Sequence, residues 1–354
     1  MREKAVCREL VKLGHDAIEI AQTKQELPDK IAAIQSKALS LDSSSNMHDV
    51  VHASDVLINH VEEIQRRFAL GGEIDGLSTG NEDIDKRLMG LKGGELYVVA
   101  GRPAMGKTAF AMNIASHNAV NQNKSVLVVS LEMTNGVLMD RLLASVGSIP
   151  LSEIKTGQVA CNYPSQLACA ADAINKSKLF MADRPNLNIM QLRSIARRHK
   201  LKHGLDLLVV DYLQLMQGSG KNENRVNEVS EMSRECKLLA RELNIPVILL
   251  SQLNRALEQR SNRRPVMSDL RESGAIEQDA DAIIFLYRDE VYNQENSKYK
   301  GIAEVILGKL RNGEPGTIYT AFNGSMSRFD LLAKGWQPEP EESNVANFSS
   351  RYRK

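Results

Sequence analysis

The sequence predicts an α/β fold with a mainly parallel, twisted sheet, preceded by an α-helical region. Three observations carry that expectation. Beyond residue 94, short apolar runs rich in Val, Ile and Leu alternate with amphipathic stretches, the pattern of strands covered on both faces by crossover helices. The glycine-bearing segment Gly101-Arg102-Pro103-Ala104-Met105-Gly106-Lys107-Thr108 lies between one such run and a helical stretch. The first 70 residues are of another kind, rich in Ala, Glu, Lys and Gln and helical in their pattern.

In chain order, segments 2–22 and 28–40 have helical periodicity, and Ser43-Ser44-Ser45-Asn46 interrupts it and offers a new helix start. Val50, Ala53, Leu57, Val61, Ile64 and Phe68 then recur at spacings of three and four, one apolar stripe on a helix. That stripe packs either on its own domain or on a neighbouring subunit. Gly71-Gly72 ends the helix. Strands are expected at Glu95–Ala100, Ser125–Leu131, Leu205–Asp211, Pro246–Ser251 and Ala282–Tyr287, and helices at Ala109–Ala119, Met190–His203 and Asn224–Leu243. Ala303–Lys309, Thr317–Phe322 and Ser327–Leu331 read as further strands, with turns at Asn312-Gly313 and Asn323-Gly324. Residues 334–354 are polar, carry Pro338 and Pro340, and read as a flexible tail.

Composition narrows the function classes. At 354 residues, with 42% apolar and 25% charged residues, the chain can bury a sizeable core and hold two or three domains. Lys plus Arg is 45 against 44 for Asp plus Glu, so binding of nucleic acid through bulk charge is disfavoured while a local basic groove is not. Cys7, Cys161, Cys169 and Cys236 lie far apart and form no CxxC, which reads as reduced thiols in the cytoplasm. The charged start MREKAVCREL does not suit a signal peptide, and no apolar run is long enough to span a membrane. His199 and His203 are four apart, but no acid or cysteine completes a metal site, and they read as surface residues of a basic helix.

The chemistry concentrates at strand ends. Residues 101–108 fit G-x-x-x-x-G-K-[ST] in its strand–loop–helix context. Backbone N–H groups at a helix N-terminus hold triphosphate charge, Lys107 reaches the β- and γ-phosphates, and the Thr108 hydroxyl is a Mg²⁺ ligand. Leu207-Leu208-Val209-Val210-Asp211 puts a carboxylate at the C-terminal edge of a buried strand, where it can hold the same ion. Glu132 follows Val126–Leu131 and can polarise an attacking water, or simply begin a helix. Gln252 follows Val247–Ser251 and can sense a γ-phosphate, or cap a helix. Arg255, Arg260, Arg263 and Arg264 suit a phosphate backbone, with a solvated loop as the alternative. Tyr212–Met216 (YLQLM) reads as core.

These motifs together resemble the replicative DNA helicases of the DnaB family, hexameric motors with a RecA-like P-loop core. The similarity runs over nearly the whole chain. Gly76-Leu77-Ser78-Thr79-Gly80 looks like the opening of the motor domain, and GRPAMGKTAFAMNIA (101–115), through Ala109, is similar to the family's phosphate loop. SLEM (130–133) matches the segment with the catalytic glutamate, here Glu132, with Arg141 nine residues on. VVDYLQLM (209–216) and SQLNR (251–255) match the second nucleotide motif and the segment of the γ-phosphate-linked glutamine. DLRESGAIEQDAD (269–281) is the most specific match.

The resemblance implies an ATP- and Mg²⁺-dependent motor that translocates 5′ to 3′ on single-stranded DNA as a homo-hexameric ring in the cytoplasm. Arg271, Glu272 and Gly274 would lie on a central-channel loop against the strand backbone. Lys309 and Arg311 would be basic fingers on the neighbouring subunit's ATP. A helicase loader and replisome proteins are the implied partners. By likeness, residues 49–72 are the linker helix, 73–333 the motor and 334–354 a tail. Residues 1–48 resemble only the closing part of the family's helical head, as in a shortened member or a fragment, so primase binding, assigned to that head, does not carry over. The alternatives are a RecA-like recombinase or repair ATPase, and a non-motor ATP-binding loader module.

Overall fold

A computed structural model of the chain describes residues 2–23, 26–43, 52–69, 74–216, 225–270, 274–311 and 313–333, with Trp336 and Pro338. Three helices come first: α1 (Arg2–Gln22), α2 (Leu27–Ser43) and α3 (Ala53–Ala69). The layered part then runs α4 (Glu82–Leu88), β1 (Leu96–Gly101), α5 (Lys107–Ser116), β2 (Val126–Ser130), α6 (Asn135–Gly147), α7 (Leu151–Thr156), α8 (Val159–Asn162), α9 (Pro164–Lys176) and β3 (Leu179–Asp183). It continues with α10 (Ile189–His203), β4 (Leu207–Asp211), α11 (Arg225–Leu243), β5 (Val247–Gln252), α12 (Gly274–Asp279), β6 (Ala282–Tyr287), α13 (Asp289–Tyr292), β7 (Ile302–Leu310), β8 (Gly316–Asn323) and β9 (Arg328–Asp330). No helix among the described residues is long and apolar enough to cross a membrane.

The strands form one sheet in the order β3-β2-β4-β5-β1-β6-β7-β8-β9. The pairs from β3 to β6 are parallel and those from β6 to β9 antiparallel. Every residue of β1, β2, β4 and β6 is buried, because helices cover both faces and continuous Val, Ile and Leu runs can satisfy both. The core divides accordingly, one cluster under α10 and α11 and another under α5 and α6. On α11, Val229, Met232, Cys236, Leu239 and Leu243 are buried at helical spacing.

All eight expected strands are present with ends shifted by up to two residues. β3 was not expected. It is an edge strand of half-buried residues with no β-branched side chain, so neither propensity nor burial marks it in the sequence. The expected helix 109–119 begins earlier, at Lys107, and widens into a π-helical turn over His117–Asn121. Of the turn at Asn312-Gly313, Asn312 lies outside the described residues. Asn323 accepts the Met326 amide and closes the turn that leads into β9.

The structure bears on one alternative left open and corrects one reading. Among the described residues nothing covers the apolar stripe of α3: Leu57, Val61 and Ile64 are exposed, and Phe68 is 88% exposed; Val50 lies outside the described residues. His199 is not simply a surface residue, for its ring packs edge-on against Phe180 of β3 at 4.4 Å, and burial holds it below the usual histidine range. Within the expected tail, Trp336 packs against Tyr319 and Tyr299 at 5.3 and 6.2 Å, while the rest beyond Pro338 lies outside the described residues.

Candidate nucleotide site

Register decides what meets at the carboxyl edge of the parallel strands. Ser130 at the end of β2 stands level with Asp211 at the end of β4, and Gly101 at the end of β1 with Gln252 at the end of β5. The turns that leave β2, β4, β5 and β1 therefore open side by side, in the crevice where sheets of this kind take ligands.

The loop after β1 needs two left-handed residues, Ala104 at φ 67° and Gly106 at φ 95°. At Gly106 the close packing adds a second requirement, since a Cβ there would meet Phe329 Cζ at 3.0 Å. From Gly106 the chain enters α5, whose first-turn amides have no acceptor within the helix. Lys107 Nζ donates to the carbonyls of Gly101 and Arg102 at 2.9 and 3.3 Å. Burial holds its ammonium below the ordinary value, against the pull of Asp211 and Glu132. Thr108 Oγ1 donates to Asp211 Oδ2 at 2.8 Å. Burial pushes the Asp211 carboxyl up and Glu132 adds to this, while the Thr108 hydrogen bond, Lys107 and Arg141 oppose it. Lys107, Thr108, Asp211, Glu132 and Arg141 thus share one electrostatic environment.

Glu132 is exposed in the bend after β2. The helix that follows starts at Asn135 with Thr134 as N-cap, so Glu132 does not begin it. Gln252 ends β5 and caps nothing; Asn254 caps the short turn after it. Two donors in this crevice escaped the sequence reading. Gln214, within the run taken as core, donates through Nε2 to Ser251 Oγ at 2.9 Å and accepts the Gln252 amide at 3.2 Å. Arg288, just past β6, donates through Nη1 to the Ala104 carbonyl at 2.9 Å, with its guanidinium over the Phe322 ring. The rule that found Asp211, a polar residue ending an apolar run, points equally to Arg288.

Several expected site residues are placed elsewhere. Arg102 is buried and turned away from the loop, its Nε on Glu258 at 2.8 Å and Nη1 on the Leu253 carbonyl at 2.9 Å. The side chains of Met105 and Ala109 belong to the core, and Pro103 and Ala104 form the exposed turn. Arg260 is paired with Asp269 at 2.6 Å, and Arg264 is paired through two nitrogens with the buried Glu304 at 2.7 and 2.9 Å. Both guanidinium groups are tied to carboxylates of the fold, with about a third of each side chain left exposed. Arg263 lies over the Tyr292 ring and Arg255 is exposed. Arg271 and Glu272 lie outside the described residues; Gly274 is exposed at the start of α12.

Lys309 and Arg311 are not in the crevice at all. β7 runs antiparallel to β6, with Lys309 level with Ile283 and Leu310 level with Ala282. Both basic residues therefore sit at the amino edge of the parallel strands. The length of β6 separates them from the phosphate loop, about 17–20 Å at the usual rise per residue. Within one subunit the two groups do not meet.

The DnaB-like helicase C terminal domain family model matches residues 76–331. The replicative DNA helicase DnaB of Pasteurella multocida is 43% identical over 346 residues, covering 94% of this chain and 73% of that protein. A solved DnaB-like replicative helicase, described with its interactions with primase, superposes with a TM-score of 0.80 at 34% identity, covering 94% of this chain and 77% of that one. A second solved structure, an isolated ATPase domain, superposes with a TM-score of 0.75 at 37% identity, covering 80% of this chain and all of that one.

Proposed function

The chain belongs to the DnaB-like helicase family, and from that premise we propose how its residues carry out ATP hydrolysis and DNA unwinding. It is an ATP-hydrolysing replicative DNA helicase; the recombinase and loader-module readings are not favoured. The observation that carries the mechanism is the division of the candidate catalytic groups between two edges of one sheet. Lys107, Thr108, Asp211, Glu132 and Gln252 gather at the carboxyl edge, while Lys309 and Arg311 stand at the amino edge. A complete site then needs the carboxyl edge of one subunit and the amino edge of another, which suits a homo-hexameric ring.

The residues present fit Mg-ATP. Thr108 Oγ1 and Asp211 are the hard oxygen donors that Mg²⁺ takes together with phosphate oxygens. Bound there, the ion neutralises charge on the β- and γ-phosphates. Asp211 is a buried carboxylate pushed up by burial, so a cation beside it favours its charged form. The amides from Gly106 to Ala109 cradle phosphate oxygens at the N-terminus of α5. Lys107 exchanges its two carbonyl partners for phosphate oxygens. Glu132, exposed and facing the same crevice, orients the attacking water and takes its proton. Gln252 reads the γ-phosphate and is tied through Gln214 to the turn after β4. Arg311 and Lys309 stabilise charge developing on the neighbour's γ-phosphate.

On this reading residues 73–333 are the motor, and the exposed stripe of α3, within 49–72, docks on the adjacent subunit. Residues 1–48 precede them as a helical region, and residues 334–354 follow them. Arg271, Glu272 and Gly274 contact single-stranded DNA, with Arg255 as a further backbone contact. The direction, 5′ to 3′, follows the family, as do a helicase loader and replisome proteins as partners and the cytoplasm as compartment. The test is strand displacement on a forked duplex with ATP, run beside a strand-exchange assay and a Lys107→Ala control. ATP-dependent displacement, lost in the control, is the expected result. Strand exchange without displacement would overturn the reading.

A further inference from the structure

Arg311 is 59% exposed along its side chain, yet it is held. Its Nη1 donates to Asp281 Oδ1 at 2.9 Å, and its backbone N–H donates to the Asp281 carbonyl at 2.8 Å. Asp281 is itself locked. Its side chain is 4% exposed, and Oδ2 accepts from the Leu96 amide at 2.8 Å and from Lys237 Nζ. Its backbone N–H reaches the Leu96 carbonyl at 2.9 Å. Lys309 is anchored beside it, Nζ donating to the carbonyls of Glu277 and Ala280 at the end of α12. Both basic side chains are thus held by residues 277–281.

Lys237 alone balances the buried charge of Asp281, so charge balance does not require Arg311 as a second partner. The guanidinium is a rigid fork of five donors. Fixing one nitrogen on a locked carboxylate sets the direction of the rest. A charged group aimed before the reaction needs little reorganisation when charge develops.

We propose that Asp281 is a positioning residue for Arg311, aiming its guanidinium out of the amino edge toward the neighbouring subunit's nucleotide and tying it to the start of β1. This rests on the reading of Arg311 as acting in trans. Lys309 is held at the last turn of α12 and just beyond it, and Arg311 by Asp281 directly after, so one short stretch of chain, residues 277–281, fixes both fingers.

Asp281→Asn keeps an oxygen acceptor for the Leu96 amide and removes the charge that steers Arg311. It also strands Lys237, so Lys237→Met/Asp281→Asn is made beside it to delete the buried pair together. Turnover is measured with and without single-stranded DNA, together with nucleotide affinity and ring mass. In both variants turnover should fall about 10-fold or more, the scale of losing a group that orients a reacting one. Affinity and ring mass should stay. The loss should vanish in an Arg311→Ala background, read as residual turnover at high enzyme concentration, because no guanidinium remains to be aimed. A further loss in that background would make Asp281 structural and overturn the proposal, as would loss of folding or of rings in both variants. Unchanged turnover in both, with Arg311→Ala impaired, would also overturn it and leave the trans reading standing. Full turnover in Arg311→Ala would instead remove the reading it rests on.

Discussion

Thr108 and Asp211 stand 103 residues apart in the chain and meet at 2.8 Å, hydroxyl to carboxylate. Asp211 ends β4, Thr108 lies in the first turn of α5 just after β1, and β1 and β4 are separated in the sheet only by β5. Two oxygen donors of the kind Mg²⁺ prefers are thereby placed together next to the helix N-terminus that receives phosphates.

Glu132→Gln should leave nucleotide affinity largely intact and cut turnover by roughly 10²-fold or more, the scale of losing a general base. Equilibrium binding of a fluorescent nucleotide and steady-state hydrolysis separate the two effects. A fall in binding with turnover per bound nucleotide unchanged would make Glu132 structural.

Mixing Arg311→Ala chains with Lys107→Ala chains should restore ATPase activity that neither shows alone. Some interfaces in a mixed ring join an intact Lys107 to an intact Arg311, and an arginine finger is worth about 10³-fold or more in turnover. Mixed rings demonstrated by mass but without activity would place Arg311 in cis.

Arg264→Met should destabilise the chain by about 2–4 kcal/mol, because it leaves the Glu304 carboxylate, 3% exposed, without its partner. Urea unfolding measures this. In the same variant the salt dependence of single-strand binding should not change, whereas Arg271→Ala should flatten it by about one unit of slope. A flatter slope for Arg264→Met would return that residue to the DNA contacts.

Asp211→Asn should melt higher than the parent chain at pH 7 while losing activity. Burial raises the folded-state pKa of Asp211 above its unfolded value. Between the two values the folded chain holds a proton that the unfolded chain has released, so stability falls as pH rises through that window and stays lower above it. Asparagine never ionises. The gain should therefore shrink as pH drops below the window, and a gain that grows toward acid pH would contradict the sign.

Leu57→Asp or Ile64→Asp on α3 should lower ring mass and ATPase together, since the exposed stripe is assigned to the neighbouring subunit and the site to the interface. Intact rings by mass photometry would release α3 from that role.

Strand ends were legible because they are local. An apolar run that stops at a polar residue identifies Asp211, Glu132 and Gln252 as members of the carboxyl edge, and the phosphate loop announces itself by spacing. β3 was not legible, because an edge strand needs neither β-branching nor full burial. Nor were the fates of the arginines, which depend on distant carboxylates: Arg102 meets Glu258 across 156 residues, and Arg264 meets Glu304 across 40. Charge in a sequence is visible, but its partner is chosen by packing.

By itself, then, the sequence determined the α/β class, the order of the parallel strands' apolar runs, and the identity of the residues at their ends, all consequences of short-range patterning. Only the tertiary structure decided which ends adjoin and which groups are kept apart. Strand order brings Thr108 to Asp211, while the antiparallel pairing of β7 with β6 carries Lys309 and Arg311 to the opposite edge. The physical reason is that hydrogen-bond register between strands far apart in the chain sets position in the sheet, and no local property of either strand encodes its partner.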